Sequence, residues 1–121
     1  MNWTNLLVFF AVLAILLLMK RAGQIAAKQA RARLKEGALV IDVRTAGEYS
    51  AEHLERAINI PLGEIESALP RLVKDKSQVL LLHCQSGMRS GMAKSKAKAL
   101  GYANSYNLGS FARAREVVEG K

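Results

Sequence analysis

In Val79-Leu80-Leu81-Leu82-His83-Cys84-Gln85-Ser86-Gly87-Met88-Arg89-Ser90, an apolar run of strand length ends in a thiol, turns at a glycine and leads into a helix. Cys84 is the only cysteine of the chain, so an intramolecular disulfide is impossible. The thiol is therefore either a reactive nucleophile or a small buried hydrophobe. Its neighbours favour the first. An ordinary cysteine, with a pKa of ~8.5, is mostly protonated at neutral pH, and only the thiolate attacks. Here the backbone N–H groups of Gln85 to Arg89 can curl towards one point and form an anion nest. A helix beginning near Ser90 aims its positive end at the same place. Arg89 adds a full charge, and Gly87 lets the loop turn tightly.

Four residues separate Cys84 from Arg89. Tyrosine-phosphatase-type loops are similar, with a His-Cys pair and a later arginine, but they have one more intervening residue, which widens the cradle to hold a phosphate. The shorter loop suits one extra sulfur atom on the cysteine.

Outward from this loop, strands and helices alternate. Leu39-Val40-Ile41-Asp42-Val43 is a buried β-branched strand. Thr45-Ala46-Gly47-Glu48 has capping-box spacing and opens a helix to about His53. Ala57 to Ile60 is a short strand ended by Pro61, and Glu64 to Leu69 a short helix ended at Pro70. The helix after the loop runs from about Ser90 to Leu100, with Met92, Ala93, Ala97 and Leu100 on its core face and Lys94, Lys96 and Lys98 outward. Asn104 to Leu108 is the last strand and Phe111 to Glu119 the last helix. Such alternation predicts an α/β fold, a parallel sheet with helices on both faces, in which ligands bind beyond the carboxyl ends of the strands. Asp42 and Cys84 both lie at such ends.

Cys84-Gln85-Ser86-Gly87-Met88-Arg89-Ser90 resembles the active-site loop of single-domain rhodanese proteins. Asp42-Val43-Arg44 with Glu48-Tyr49, and Ala57-Ile58-Asn59-Ile60-Pro61, resemble two further segments of that family in the same order, over about residues 24–120. The resemblance implies a rhodanese-like sheet and sulfurtransfer. Cys84 would take a sulfane sulfur from thiosulfate or a persulfide, becoming a persulfide itself. Gln85, Ser86, Gly87, Met88, Arg89 and Ser90 would hold that sulfur, and a thiol, a protein acceptor or cyanide would remove it. Arg89 would anchor the loop or attract an anionic donor, with Asp42 and Arg44 bracing the loop from the neighbouring strand. Glu52-His53-Leu54-Glu55-Arg56-Ala57 departs from the Gly-His-Ile-Pro-Gly-Ala of many members, and Gly109-Ser110-Phe111 from their Gly-Gly and tryptophan.

The N-terminal end differs in kind. Leu6 to Met19 is uninterruptedly apolar, and Trp3 extends this to 17 residues. That length is at the short end of the ~17–25 a transmembrane helix needs. A cleaved signal peptide would carry its positive charge before the run, not after it. A soluble buried helix would not be apolar all round. The expectation is one N-terminal transmembrane helix, residues 1–20. Lys20, Arg21, Lys28, Arg31, Arg33 and Lys35 follow it, with no acid before Glu36. This bias puts the N-terminus outside and the domain in the cytoplasm, on a single-pass chain in the cell (inner) membrane. Residues 21–36 form a basic helix against anionic lipid or the first helix of the domain, and residues 37–121 the domain itself. A reducing cytoplasm suits a lone thiol.

The net charge of +8 does not point to nucleic acid, because from Glu36 onward 12 basic residues face 10 acidic ones. The partners expected are a small anionic sulfur donor, a thiol acceptor and the bilayer, with no nucleic acid. Two scattered histidines and one cysteine lack metal-ligand spacing, so no metal or cofactor is expected. The rival functions are a non-catalytic, membrane-tethered binding module and, below it, a phosphatase.

Overall fold

The structure, a computed structural model, describes residues 2–121, with the backbone alone for residues 20–22. Four strands, β1 (Leu39–Asp42), β2 (Ile58–Asn59), β3 (Leu80–His83) and β4 (Ser105–Gly109), form one sheet in the order β2-β1-β3-β4. Every pairing is parallel. Parallel neighbours need crossover helices, and these cover both faces. Helices α2 (Ala27–Lys35) and α6 (Phe111–Glu119) lie on one side. Helices α4 (Ile65–Leu72) and α5 (Met88–Ala99) lie on the other. The strand side chains alternate accordingly. Val40, Leu81 and Leu108 join the α2/α6 layer, while Ile41, Leu80 and Leu82 join the α4/α5 layer.

Helix α3 (Ala46–Ala51) begins at Thr45 with the predicted capping box: the Glu48 N–H donates to Thr45 Oγ1 at 3.2 Å, and Thr45 N–H to Glu48 Oε1 at 3.0 Å. Several element ends differ from the sequence-based expectation. Helix α4 continues through Pro70 to Leu72, since only one i→i−4 bond is forfeited and Val73 N–H still closes on the Leu69 carbonyl at 2.8 Å. Helix α5 begins at Met88 because Gly87, at φ +99°, already serves as its N-cap. Its buried stripe is Ser90, Ala93 and Ala97, and Met92 is exposed. Helix α2 is packed against the sheet through Ala30 and Leu34, next to the buried Ile25, while Ala26 is exposed. Its basic residues Lys28, Arg31 and Lys35 face solvent.

Helix α1 (Trp3–Ala22) stands apart from this core. Its described apolar side chains are exposed, Leu18 at 63% and Phe9 at 60%, with Leu6 half-buried. Among the described residues, no helix is long and apolar enough to cross a membrane. The expectation of a transmembrane helix over residues 1–20 is corrected to that extent. The reason is length. Leu6 to Met19 is 14 residues, ~21 Å at 1.5 Å per residue, against a hydrocarbon core of ~30 Å. Upstream lie Asn2, Thr4 and Asn5; downstream, the expected Lys20–Arg21 flank has its side chains outside the described residues.

Candidate active site

The ends of β1 and β3 are neighbours, with Asp42 paired to His83. Beyond His83 the chain is stitched to the end of β4. Cys84 N–H donates to the Gly109 carbonyl at 3.1 Å, and Phe111 N–H to the Gln85 carbonyl at 3.3 Å. With its base fixed, the loop folds back over the thiol. Gly87 N–H points at Cys84 Sγ from 2.9 Å, and the Ser90 hydroxyl lies 3.4 Å away. The turn requires φ +99° at Gly87, and an added Cβ there would meet Gln24 Nε2 at 3.3 Å.

Burial pushes the Cys84 thiol up, but hydrogen bonds from the Ser90 hydroxyl and from the Ser90, Gly87 and Ser86 N–H groups outweigh it, so the thiol ionises more readily than a free one. Of the amides of Gln85 to Arg89 expected to form a nest, Gly87 N–H makes the hydrogen bond to the sulfur, joined by the Ser90 hydroxyl. Cys84 itself is 0% exposed. It lies one layer deep, because the adjacent Gln85, Ser86 and Met88 are all exposed.

Arg89 is not aimed at the sulfur. Its guanidinium grips Glu48 of α3 with two bonds, Nη1 to Oε1 at 2.6 Å and Nη2 to Oε2 at 3.0 Å. This bond to Arg89, with the Thr45 N–H, lowers the Glu48 carboxyl to about 2. The full charge expected to face residue 84 is instead matched by an acid, and Arg89 serves as an anchor of the loop.

Asp42 and Arg44 form a buried ion pair, with Arg44 Nη2 to Asp42 Oδ2 at 2.7 Å and Nε within 3.1 Å of both carboxylate oxygens. Arg44 also donates to Gln85 Oε1 at 3.2 Å and to the Glu52 carbonyl at 2.7 Å, which ties the loop to β1. Arg44 thus pairs with Asp42 while reaching the loop. His83 turns away from the thiol, beside Phe111, with Nδ1 3.2 Å from the Cys84 carbonyl and Nε2 without a hydrogen-bond partner. Burial pushes this imidazole down, against the pull of Asp42.

Two contributors went unread in the sequence. Glu48 was read as a cap and as part of a family-like segment, not as the partner of Arg89. Asn107 of β4 was read only as part of a strand, yet it is buried and bonds to both Ser90 and Gly87. A polar side chain at an inward strand position was the available signal. Among the described residues no cluster of histidine, cysteine and acidic side chains could hold a metal ion.

A family profile described as rhodanese-like domain matches residues 26–113. Thiosulfate sulfurtransferase PspE of Escherichia coli K12 is 39% identical over 69 residues, covering 57% of this chain and 66% of that protein. The human thiosulfate:glutathione sulfurtransferase is 31% identical over 105 residues, covering 74% of this chain and 89% of that protein. The chain spans just under two thirds of the bacterial relative, and much smaller parts of other, longer ones. Among solved structures, the human single-domain sulfurtransferase TSTD1 superposes with a TM-score of 0.64 at 28% identity, over 78% of this chain and 96% of that one. A rhodanese with anions from E. coli gives 0.61 at 35% identity, over 64% and 91%.

Proposed function

The chain belongs to the rhodanese-like family, and from that membership we propose that it is a sulfurtransferase in which Cys84 carries the sulfur. The observation that carries the reading is the 2.9 Å contact from Gly87 N–H to Cys84 Sγ, one of several donors turned on a single sulfur. In the first half-reaction the thiolate attacks the outer sulfur of thiosulfate or of a persulfide. A new S–S bond forms on Cys84, the old one breaks, and its electron pair leaves with sulfite or with the donor's thiolate. In the second, an acceptor thiolate or cyanide attacks the outer sulfur and the Cys84 thiolate is released. The amides that favour the thiolate also favour the terminal anion of the persulfide, so both resting states are held by the same donors. Approach runs over the exposed Gln85, Ser86 and Met88.

Incubating the full chain with thiosulfate, or with an alkyl persulfide, is expected to add the mass of one sulfur atom to the intact protein. Treatment with a thiol should remove it. No adduct from either donor would favour the non-catalytic module.

The proposal extends to location: α1 holds the chain at the cell (inner) membrane, with the domain in the cytoplasm. Its support is the exposed apolar surface from Leu7 to Met19 and the basic residues that follow in sequence. The full chain is expected to stay with the membrane fraction through alkaline carbonate washing, and its release into the wash would end this part of the proposal.

A further inference from the structure

The Ser90 hydroxyl has one proton and four acceptors around it. Ser90 Oγ lies 2.7 Å from Asn107 Oδ1, 3.1 Å from the Gly87 carbonyl, 3.4 Å from Cys84 Sγ and 3.5 Å from the Gly109 carbonyl. All of these groups are buried. The orientation of the Asn107 amide is fixed by two other contacts. Its Oδ1 accepts from Gly109 N–H at 2.9 Å, and its Nδ2 donates to the Gly87 carbonyl at 3.2 Å. Oδ1 therefore faces Ser90 as an acceptor, and the shortest contact the hydroxyl makes can only be a donation to Asn107.

From this geometry we infer that Asn107 is a positioning residue, which holds the Ser90 proton away from the sulfur while Cys84 is a thiol and yields it when the thiolate forms. The step is a rotation of the Ser90 O–H. In the resting state Ser90 donates to Asn107, and the Cys84 S–H can donate to Ser90 Oγ. On ionisation the thiol proton leaves to solvent and the Ser90 O–H turns from Oδ1 to Sγ. Asn107 keeps its bond from Gly109 N–H and loses one. The ease of ionisation is thus set by a contest between an amide oxygen and a sulfur for one hydroxyl. When Cys84 carries sulfur the charge moves outward, Sγ becomes a poor acceptor, and the hydroxyl returns to Asn107. The inference rests on the reading of Cys84 as the sulfur carrier.

Charged and titratable groups also stand on the elements packed around the loop, none of them aimed at the sulfur: Arg89 of α5 with its partner Glu48 of α3, His83 of β3, Asp42 and Arg44 of β1, and Arg113 of α6, which binds the Leu108 and Ile25 carbonyls. None of them is altered in the following comparison, so their fields stay in place. Because Cys84 is the only cysteine, the thiolate absorbance that develops below the tyrosine range, near pH ~10, reports one group. The full chain is titrated as wild type, N107A, S90A and the double variant. N107A is expected to move the titration to lower pH, by on the order of half a unit to one unit. S90A should move it to higher pH. In the S90A background, N107A should have no further effect. An equal shift in both backgrounds, or none in either, overturns the inference, because Asn107 would then act through loop shape or not at all. Should N107A not fold, N107D keeps the side chain's size and strengthens the acceptor. It should move the titration upward, and that shift should shrink in S90A; an undiminished shift overturns the inference equally. The titration is complete before any sulfur donor is added. Its failure therefore leaves the sulfurtransferase reading standing, and a missing sulfur adduct leaves the titration standing.

Discussion

Two neighbouring strand ends hold negative charge in opposite ways. At the end of β1, Asp42 is matched by the guanidinium of Arg44, at 2.7 Å and fully buried. At the end of β3, Cys84 is matched by amide dipoles and one hydroxyl, while the arginine of its own loop is turned to Glu48. An ion pair neutralises the charge and leaves a rigid, unreactive strut. Dipoles stabilise the thiolate without cancelling it, so an electron pair is left to attack. The contrast suggests that the same sheet edge separates bracing from chemistry by choosing between a full charge and partial ones.

The largest expected break of this contrast is C84S. An oxygen in place of sulfur keeps the packing but removes the nucleophile, so sulfite release from thiosulfate should fall at least about a thousandfold while thermal unfolding barely moves. Retained turnover would place the chemistry elsewhere. At the other strand end, D42A should act on stability first. It leaves Arg44 buried without its partner, at a cost of about 3–5 kcal/mol in denaturant unfolding.

These two ends were unequally legible. The apolar run into Cys84 and the glycine after it placed the thiol at a strand end, under a turn that opens a helix, from sequence alone. What Arg89 does was not legible, because its partner Glu48 lies 41 positions away and already had a reading as a cap. Asn107 was hidden for the same reason: its role exists only where β4 meets the start of α5. Met92 was misplaced because its apolar side chain was counted with Ala93 and Ala97, whereas the stripe that faces the sheet runs through the polar Ser90. The apolar run of α1 was plain to see, but periodicity reports where apolar residues fall, not what covers them.

G87A tests the dipole side alone. Its backbone sits at φ +99°, so the substitution is strained whatever the space, by about 1–2 kcal/mol. Relaxation would pull the N–H off the sulfur. The thiolate titration should then move to higher pH, and the alkylation rate at neutral pH should drop severalfold. An unchanged titration would show that the amide contact contributes little.

E48Q has the smallest expected effect and the most specific one. In the wild type, Glu48 contributes stability that is fully present above its unfolded value near 4.5 and is lost as pH falls through about 2. Acid unfolding of E48Q should lack that part of the slope, and at neutral pH the loss should stay within about 1 kcal/mol, since the pair is partly solvated. The variant also leaves Arg89 without its acid. Thiosulfate should then react faster at low salt, with the gain removed by added salt.

The strip just ahead of α2 has a practical meaning for anyone trimming the protein. Gln24 is bridged to Asn107, Ile25 N–H donates to the Asn107 carbonyl at 2.9 Å, and Arg113 reaches the Ile25 carbonyl at 2.5 Å. These two residues seal the outer rim of β4. A version cut to begin at residue 26, where the family match starts, would bare that rim and invite edge-to-edge aggregation; one that begins at Gly23 would keep it closed.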